Sequence, residues 1–389
     1  MNEHIGRLEK VGLGKESSSG TPVSATSWIP KVDGSFSPKT EKAKDLSAYG
    51  TIDELRDSQT VKQMTETEIK GIFRDLYGGH LLMAAFGQDT ACLKVTTSSL
   101  VGSFTVGETV NQATSGAVGV VRRKEGSSTL YVSVTSGTFT SESNTVTGAT
   151  SGATALFTFD SALRTHYFQR LNTNNHPAYT LYGVDDVGTY RSTYSLLDTL
   201  ELELATGNFL NFTAKFVGKK EASTSATPAF STEENHFLAV HANVYFASAL
   251  SGLNAATATK ISTLKMTIQK NVEEYMAFGS VDVDSLHNKQ FKVVGEMTAL
   301  FTSTTLKDFV LNSTKRAMRI KLVNTDATIG SASNPELYID LAQVSFENWA
   351  KQGGNDDLIM QTLGFEAEFS VDDSESIIAL LQNTNTTAY

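Results

Sequence analysis

The sequence predicts a mainly β protein, made of two related β-sandwich or barrel-forming domains that each carry one flanking helix. Hydrophobic residues make up 40% of the 389 residues and can fill a core, whereas charged residues reach only 19%, below the usual quarter. Several runs alternate apolar and polar residues, as half-buried strands do. The two halves of the chain also echo each other, which indicates a duplication.

The clearest strands form a predicted hairpin in LLDTLELELATGNFLNFTAKFVGKK. Leu200, Leu202 and Leu204 share one face, Glu201 and Glu203 point to the other, and TGN supplies the turn. ISTLKMTIQKNVEEY alternates in the same way. Long strands are also predicted in ELYIDLAQVSFENWA and LIMQTLGFEAEFS.

The first helix is predicted in TETEIKGIFRDLYGGHLLMAAFG. Thr65 and Glu68 fit a capping box. The apolar residues at helical spacing are Ile69, Ile72, Phe73, Leu76 and Tyr77. Gly78 and Gly79 are expected to end or break this helix. A second, short helix is predicted in TTLKDFVLNSTKR.

The stretch 100–160 differs from the rest, because Gly, Ser, Thr and Val dominate it and no helical period survives. The phrase ATSGA occurs there twice, at 113–117 and 149–153. Leu130, Val132 and Val134 alternate with polar neighbours, which predicts a half-buried strand. We interpret the stretch as an inserted small β module with an internal repeat, whose glycines form matching turns. The alternative is a ligand-binding loop.

A larger repeat relates the two halves. Tyr49, Gly50 and Asp53 in AYGTID recur 229 residues later as Phe278, Gly279 and Asp282 in AFGSVD. In both halves a strand-like stretch, a helix and a long hairpin follow. The predicted domains are therefore a first domain at 1–99 plus 161–220, the insert at 100–160, a linker at 221–236 and a second domain at 237–389.

No constellation for catalysis or ligand binding emerges. VGLGKESSSGT lacks the first glycine of a phosphate loop, and Glu16 follows Lys15 where Ser or Thr is needed. The seven histidines lack metal-ligand spacing, and Cys92 is the only cysteine. Adjacent carboxylates, such as Asp185 and Asp186, would point to opposite faces of a strand. We therefore expect no enzyme activity, no cofactor and no metal.

The charge and the hydropathy pattern limit the possible partners. A formal net charge of −10 argues against gripping nucleic acid by charge attraction. The first residues lack the apolar core of a secretory signal, and no apolar run reaches the ~18 residues of a membrane span. We expect a soluble protein that is made in the cytosol and does not insert into a membrane.

Three segments form a further pattern: GLGKESSSGTPVSATSWIPKV, the segment ending HLLMAAFG, and ELYIDLAQVSFENWAKQGGNDDLIMQTLGFEAEFS. Together they resemble the tail tube proteins of long-tailed, siphovirus-like bacteriophages. The resemblance covers most of 1–99 and 161–389. The insert instead resembles short GETV…ATSGA modules of phage structural proteins. The resemblance implies β-sandwich domains with a flanking helix and one long loop, six of which form a ring around a closed barrel.

The resemblance also implies how the chain assembles. Rings would stack into a tube for DNA ejection, and two fused domains would build each pseudo-hexameric ring from three chains. The inter-ring loops would be 37–58 and 271–290, with Tyr49, Gly50, Asp53, Phe278, Gly279 and Asp282 as candidate contact residues. The implied partners are further copies of the chain, a tape measure protein, a tail terminator and baseplate or tip proteins. Double-stranded DNA would pass through a negative lumen without specific binding. The implied location is the virion, after assembly in the cytoplasm of the bacterial host.

Two other functions stay open at this stage. One is a different β protein of the virion, such as a baseplate hub or a capsid-associated protein. The other is a carbohydrate-binding or adhesin module, which the Ser- and Thr-rich insert suggests.

Overall fold

A computed structural model describes residues 5–142 and 144–389. Strands hold 54% of the chain and helices 8%, which confirms the predicted mainly β class. The two α-helices are α1 (Tyr77–Phe86) and α2 (Thr305–Leu311), and short 3-10 turns lie at Gly6–Leu8, Ala239–His241 and Leu250–Ala255.

The strands number as follows along the chain. The first fifteen are β1 (Lys10–Lys15), β2 (Ser27–Ile29), β3 (Lys31–Asp45), β4 (Asp57–Ile72), β5 (Gly87–Val101), β6 (Thr109–Gln112), β7 (Ala117–Glu125), β8 (Thr129–Ser136), β9 (Thr145–Gly148), β10 (Thr154–Thr158), β11 (Arg164–Arg170), β12 (Tyr179–Val184), β13 (Thr189–Ala205), β14 (Asn211–Lys219) and β15 (Ala222–Ser223). The rest are β16 (Ala242–Ala247), β17 (Ala258–Thr259), β18 (Thr263–Gln269), β19 (Val272–Tyr275), β20 (Ser285–Asn288), β21 (Lys292–Leu300), β22 (Arg316–Val323), β23 (Glu336–Gln352), β24 (Met360–Glu368) and β25 (Ile377–Asn383).

An antiparallel central sheet joins the two halves of the chain. Its first group of strands is β3–β4–β14–β13, and its second group is β18–β21–β24–β23. The two groups meet where β13 pairs with β18, from Thr199 opposite Gln269 to Ala205 opposite Thr263. We call these the first group and the second group.

One face of the central sheet covers the main hydrophobic core. Leu200, Leu202 and Leu204 lie on the buried face of β13, while Glu201 and Glu203 point away, as their alternation predicts. The predicted alternation of β18 also holds, and both helices lie over this buried face through residues such as Leu82 and Phe309.

The predicted first helix is wrong over its N-terminal part. Residues 65–72 belong to strand β4, where Thr65, Thr67 and Ile69 are buried and the residues between them face outward. Their place between β3 and β14 satisfies the backbone as a strand and overrides the helical spacing of the apolar residues. The helix begins later, at Tyr77, and runs through the Gly-Gly pair instead of ending there.

Close packing explains why two glycines lie inside α1. A Cβ on Gly78 would come within 2.5 Å of the Phe73 ring, and one on Gly79 within 2.1 Å of the Tyr389 ring. The missing side chains therefore allow two aromatic rings to reach the helix backbone. The helix ends instead at Gly87, which has φ 87°.

The stretch 100–160 shares a small core, separate from the main one, with Leu93 and Val95 of β5. Phe104, Val121, Val132, Phe139 and Phe157 are among the residues buried in it. The predicted strand β8 is present, but both of its faces are covered over residues 130–133, because Tyr131 packs outside this core against Tyr338, Ile378 and Leu380. Val134, predicted on the buried face, is exposed. The insert is thus docked onto the second half of the chain.

Candidate functional site

Both ends of the central sheet are open. Among the described residues, β3 pairs with β4 alone, and β23 from Ser345 to Gln352 pairs with β24 alone. An open edge presents unpaired N–H and C=O groups and can accept another strand. Pro38 and Lys39 lie on the β3 edge, and such residues discourage indiscriminate pairing.

The two groups match in register as well as in strand order. The bulge of β13 between Leu197 and Thr199 has its counterpart in β23 between Glu347 and Ala350. The β3–β4 hairpin shifts register after Glu41, and the second hairpin is interrupted at the same level, at residues 270–271 between β18 and β19. The rows of paired residues give the correspondence. One row runs across the first group through Leu197, Phe216, Thr67 and Phe36, and the other runs across the second group through Phe346, Phe365, Gly295 and Met266. Leu197 therefore corresponds to Phe346 and Phe36 to Met266, and all four contact the main core.

The first hairpin, formed by β3 and β4, carries three of the predicted contact residues at its tip. Residues 46–56 are exposed, and the side chain of Ile52 is 104% exposed. Arg56 lies 3.6 Å above the Tyr49 ring and donates a hydrogen bond to its hydroxyl. Gly50 has φ 78°, and Asp53 is exposed. The predicted loop 37–58 is therefore mostly paired strand with a short exposed tip.

The second hairpin continues from β18 and β21 into β19 and β20 and carries the other three residues. Phe278 is fully exposed at its tip, followed by Gly279 with φ 89°, and Asp282 is also exposed. The backbone N–H of Asp284 closes the tip by donating to the Tyr275 carbonyl at 3.0 Å. Among the described residues, no contact joins Phe278 to Tyr49.

The second hairpin is held against the stem of the first. The backbone N–H of Gln63 donates to the Val281 carbonyl at 2.7 Å, beside Asp282. Lys62 pairs with Glu274 and, at 2.9 Å, with Glu41. The hydrogen bond from Lys62 lowers the pKa of the Glu274 carboxyl.

Apolar packing completes this contact. Val283 and Leu286 are each 1% exposed and pack with Ala178 and Leu196 of the first half. The sequence prediction missed this brace. NHPAYT, STYSLLDT and VDVDSLHNKQ contain the apolar residues of the contact, but nothing in the spacing of these residues indicates that the segments meet.

Sequence reasoning also missed the buried Lys270, which lies at the bend between β18 and β19. Its ammonium donates to the Ala84 carbonyl at 2.6 Å, and its backbone N–H donates to the Asp198 carbonyl at 2.8 Å. Burial lowers the pKa of Lys270 to about 7, partly opposed by the Asp198 carboxylate. The sequence offered one signal for the bend, the Lys270-Asn271 pair, because Asn tolerates the left-handed conformation that ends a strand. Asn271 does take φ 49°.

The face of the central sheet opposite the core is polar and carries cross-strand ion pairs. Lys265 lies 2.9 Å from Glu201, and Lys292 lies 3.3 Å from Glu366. The acidic residues on this face include Glu66, Glu68, Glu201, Glu203, Glu296, Glu347, Glu366 and Glu368, and the basic ones include Lys70, Lys215, Lys265, Lys292 and Lys39, which pairs with Glu66. Acidic residues are in excess in this set, so the face is biased negative.

The insert docks through a buried ionic cluster. Asp340 accepts hydrogen bonds from Arg319 at 2.7 and 2.9 Å and from Arg123 of the insert, while Arg319 also contacts Glu125 at 3.1 Å. Burial alone would raise the pKa of Asp340, but the two guanidinium groups keep it below its usual value. The charges thus satisfy each other across the contact.

The two ATSGA turns have the same geometry. Gly116 and Gly152 have φ 68° and 65°, and each donates its N–H to a carbonyl four residues earlier. Ser115 donates to the Gln112 side chain at 2.7 Å, and Ser151 to Glu108 at 2.8 Å. The side-chain partners of both serines are therefore internal to the insert.

The described residues contain neither a group of His, Cys, Asp and Glu side chains that could hold a metal nor a helix long and apolar enough to span a membrane. A sheet with open edges, a polar outer face and projecting hairpins is typical of a β protein that can join further strands at its edges. The model of the phage tail tube protein family matches residues 6–367, and the chain belongs to that family. It is a structural component of the bacteriophage tail, and thus of the virion, in a family that is not one of enzymes. No curated protein matches the chain.

Proposed function

We propose that three copies of this chain close into a ring and that the rings stack into the tail tube through which DNA is ejected. The observation that carries this proposal is the repeated strand order, in which β13 of the first group pairs with β18 of the second. The same junction can form between chains, because the corresponding strands β23 and β3 are the open edges. Two domain-like groups per chain then give six per ring.

The pairing of β13 with β18 within the chain predicts the register in which β23 of one chain would pair with β3 of the next. Within the chain, Glu201 lies opposite Thr267, and Leu200 lies opposite Ile268. The corresponding pairs between chains are Ala350 with Ser37 and Trp349 with Pro38. Trp349 and Phe36 already pack against the main core, which extends across the junction when a neighbour arrives.

The polar face of the central sheet would line the lumen. Its excess of carboxylates repels phosphate, so duplex DNA slides without specific binding. Siphovirus-type tails, with a tape measure protein, a tail terminator and baseplate or tip proteins as partners, fit this role. Assembly would occur in the cytoplasm of the bacterial host.

Electron microscopy and a designed disulfide test the ring. The Ala350→Cys/Ser37→Cys variant is expected to form oxidised species that end at three chains, because opposite Cβ atoms in a sheet lie ~5 Å apart. Ala350→Cys/Ser35→Cys, which is displaced diagonally, is the matched control. Images should show three inserts per ring. Strict sixfold symmetry with six inserts would contradict the three-chain ring. A strictly monomeric protein that binds glycans would favour an adhesin, and rings that never stack would favour a baseplate hub or a capsid-associated role.

A further inference from the structure

The end of the central sheet remote from the hairpin tips contains an open apolar cleft. Its volume is about 670 Å³, within the range of cavities that hold small ligands. The cleft lies between the β13–β14 turn, the segment around Val240 and the start of β18. Its apolar lining includes Leu204, Leu238, Val240, Val244, Leu264 and Ile320.

The cleft and the tip of the second hairpin lie at opposite ends of the same strands. Leu264, at the start of β18, lines the cleft, whereas the other end of β18 leads through Lys270 to Phe278. Placing one copy on another along the strand direction therefore brings a tip toward a cleft. Phe278 cannot reach the cleft of its own chain, because the length of the strands separates them.

The side chains at the two ends are complementary. Phe278 is 110% exposed and makes no ring contact among the described residues, and Val240 in the cleft is 79% exposed. Next to Phe278, Asp282 and Asp284 have no ion-pair partner in the described part of the chain. The same is true of Lys260 at the cleft. An aromatic anchor with a charged rim is the usual composition of a strong protein contact.

The second hairpin is also suited to present an anchor. Val283 and Leu286 fix it to the first half, and Gly279 allows the tight turn beside Phe278. A side chain on a preorganised support loses less freedom on binding than one on a mobile loop.

We propose that Phe278 of one copy inserts into the cleft at Val240 of a copy in the adjacent ring, with Asp282 and Asp284 facing Lys260. This inference rests on the proposed function, since it needs stacked rings. It assigns the receiving surface, for which the sequence gives no indication.

Cysteine pairing in assembled full-length protein tests the contact. The native Cys92 is fully buried, so introduced cysteines report alone. Phe278→Cys/Val240→Cys is expected to give a reducible ladder of linked chains on oxidation. Phe278→Cys/Val371→Cys is the matched control, because Val371 is 81% exposed but follows β24 at the hairpin end of the sheet. Phe278→Ala should raise the concentration needed for tube growth roughly tenfold or more, as loss of a hot-spot residue does.

The possible outcomes distinguish failure of the Phe278 contact from failure of the proposed tube function. Tubes without the Phe278–Val240 ladder would overturn the docking and leave the tube function standing. A ladder from Ile52→Cys/Val240→Cys in its place would assign the cleft to the first hairpin and overturn the role of Phe278. If wild-type protein forms neither rings nor tubes under any polymerising condition, the proposed function and this inference both fail.

Discussion

The two hairpins that rise from the central sheet occupy matching positions but differ in how they are held. The second is bent after Lys270 and braced by Lys62, Val283 and Leu286. The first runs on past its register shift at Glu41 to an exposed tip. The bend of the second hairpin and the register shift of the first lie at the same level. Both hairpins therefore have a backbone irregularity there, and the side chains decide whether a hairpin is braced or free.

The surface under each hairpin explains the difference. Leu196 and Met64 of the first group line the apolar seat of the second hairpin. The corresponding positions in the second group are Ser345 and Lys292, which offer no apolar seat. In the proposed ring, a neighbouring chain would therefore not receive the first hairpin as this chain receives its own second one. We infer that the first hairpin keeps its tip free for another contact.

The largest expected effect on stability comes from the ionic contact between the insert and the second half of the chain. This contact holds the second half in place, as the apolar brace holds the second hairpin. Asp340→Ala leaves Arg319 and Arg123 buried without their carboxylate. We expect a loss of about 3–5 kcal/mol in the free energy of unfolding, measured by urea denaturation. Asp356→Ala, at an exposed turn, is the control and should change little. An equally small effect of Asp340→Ala would show that the insert is a decoration and not a clamp.

Removing the apolar brace should have the next largest effect. Leu286→Ala is expected to weaken the second hairpin by about 2–5 kcal/mol, the usual cost of a buried Leu. Hydrogen exchange at 272–288 measures this loss even if the rest of the chain stays folded. Leu55→Ala is the matched change in the first hairpin, where the side chain is 49% exposed, and should leave exchange unchanged. Equal responses in both hairpins would remove the distinction between a braced and a free hairpin.

The sequence predicts the strands better than their partners. Alternation identified β13, β14 and β18, because each has one buried and one exposed face. It failed at β4, where apolar residues near Phe73 mimic a helix and only the neighbouring strands decide the conformation. The repeated aromatic-Gly element lies at both hairpin tips, although the sequence predicted long loops there and not paired strands. The brace, the apolar cleft and the ionic cluster left no signal in the sequence, because each joins residues that are distant in the chain.

The smallest expected effect comes from Lys270 at the bend in the second hairpin. Its titration should make the free energy of unfolding depend on pH. The pKa of Lys270 is about 7 in the folded chain and about 10.4 when unfolded. Between these values the unfolded state holds a proton that the folded state lacks, so stability should rise with pH by up to about 1.4 kcal/mol per unit. Below pH 7 both states are protonated and this contribution is constant.

Lys270→Met should abolish that rise, because Met neither titrates nor carries a charge into the core. The test is urea unfolding at several pH values between 7 and 10 for wild type and variant. Lys265→Met, on the exposed face of the same strand, is the control and should keep the wild-type slope. A slope that survives in Lys270→Met would mean that the ammonium reaches solvent at the bend. The second hairpin would then be hinged there, and braced by its backbone and side-chain contacts with the first hairpin alone.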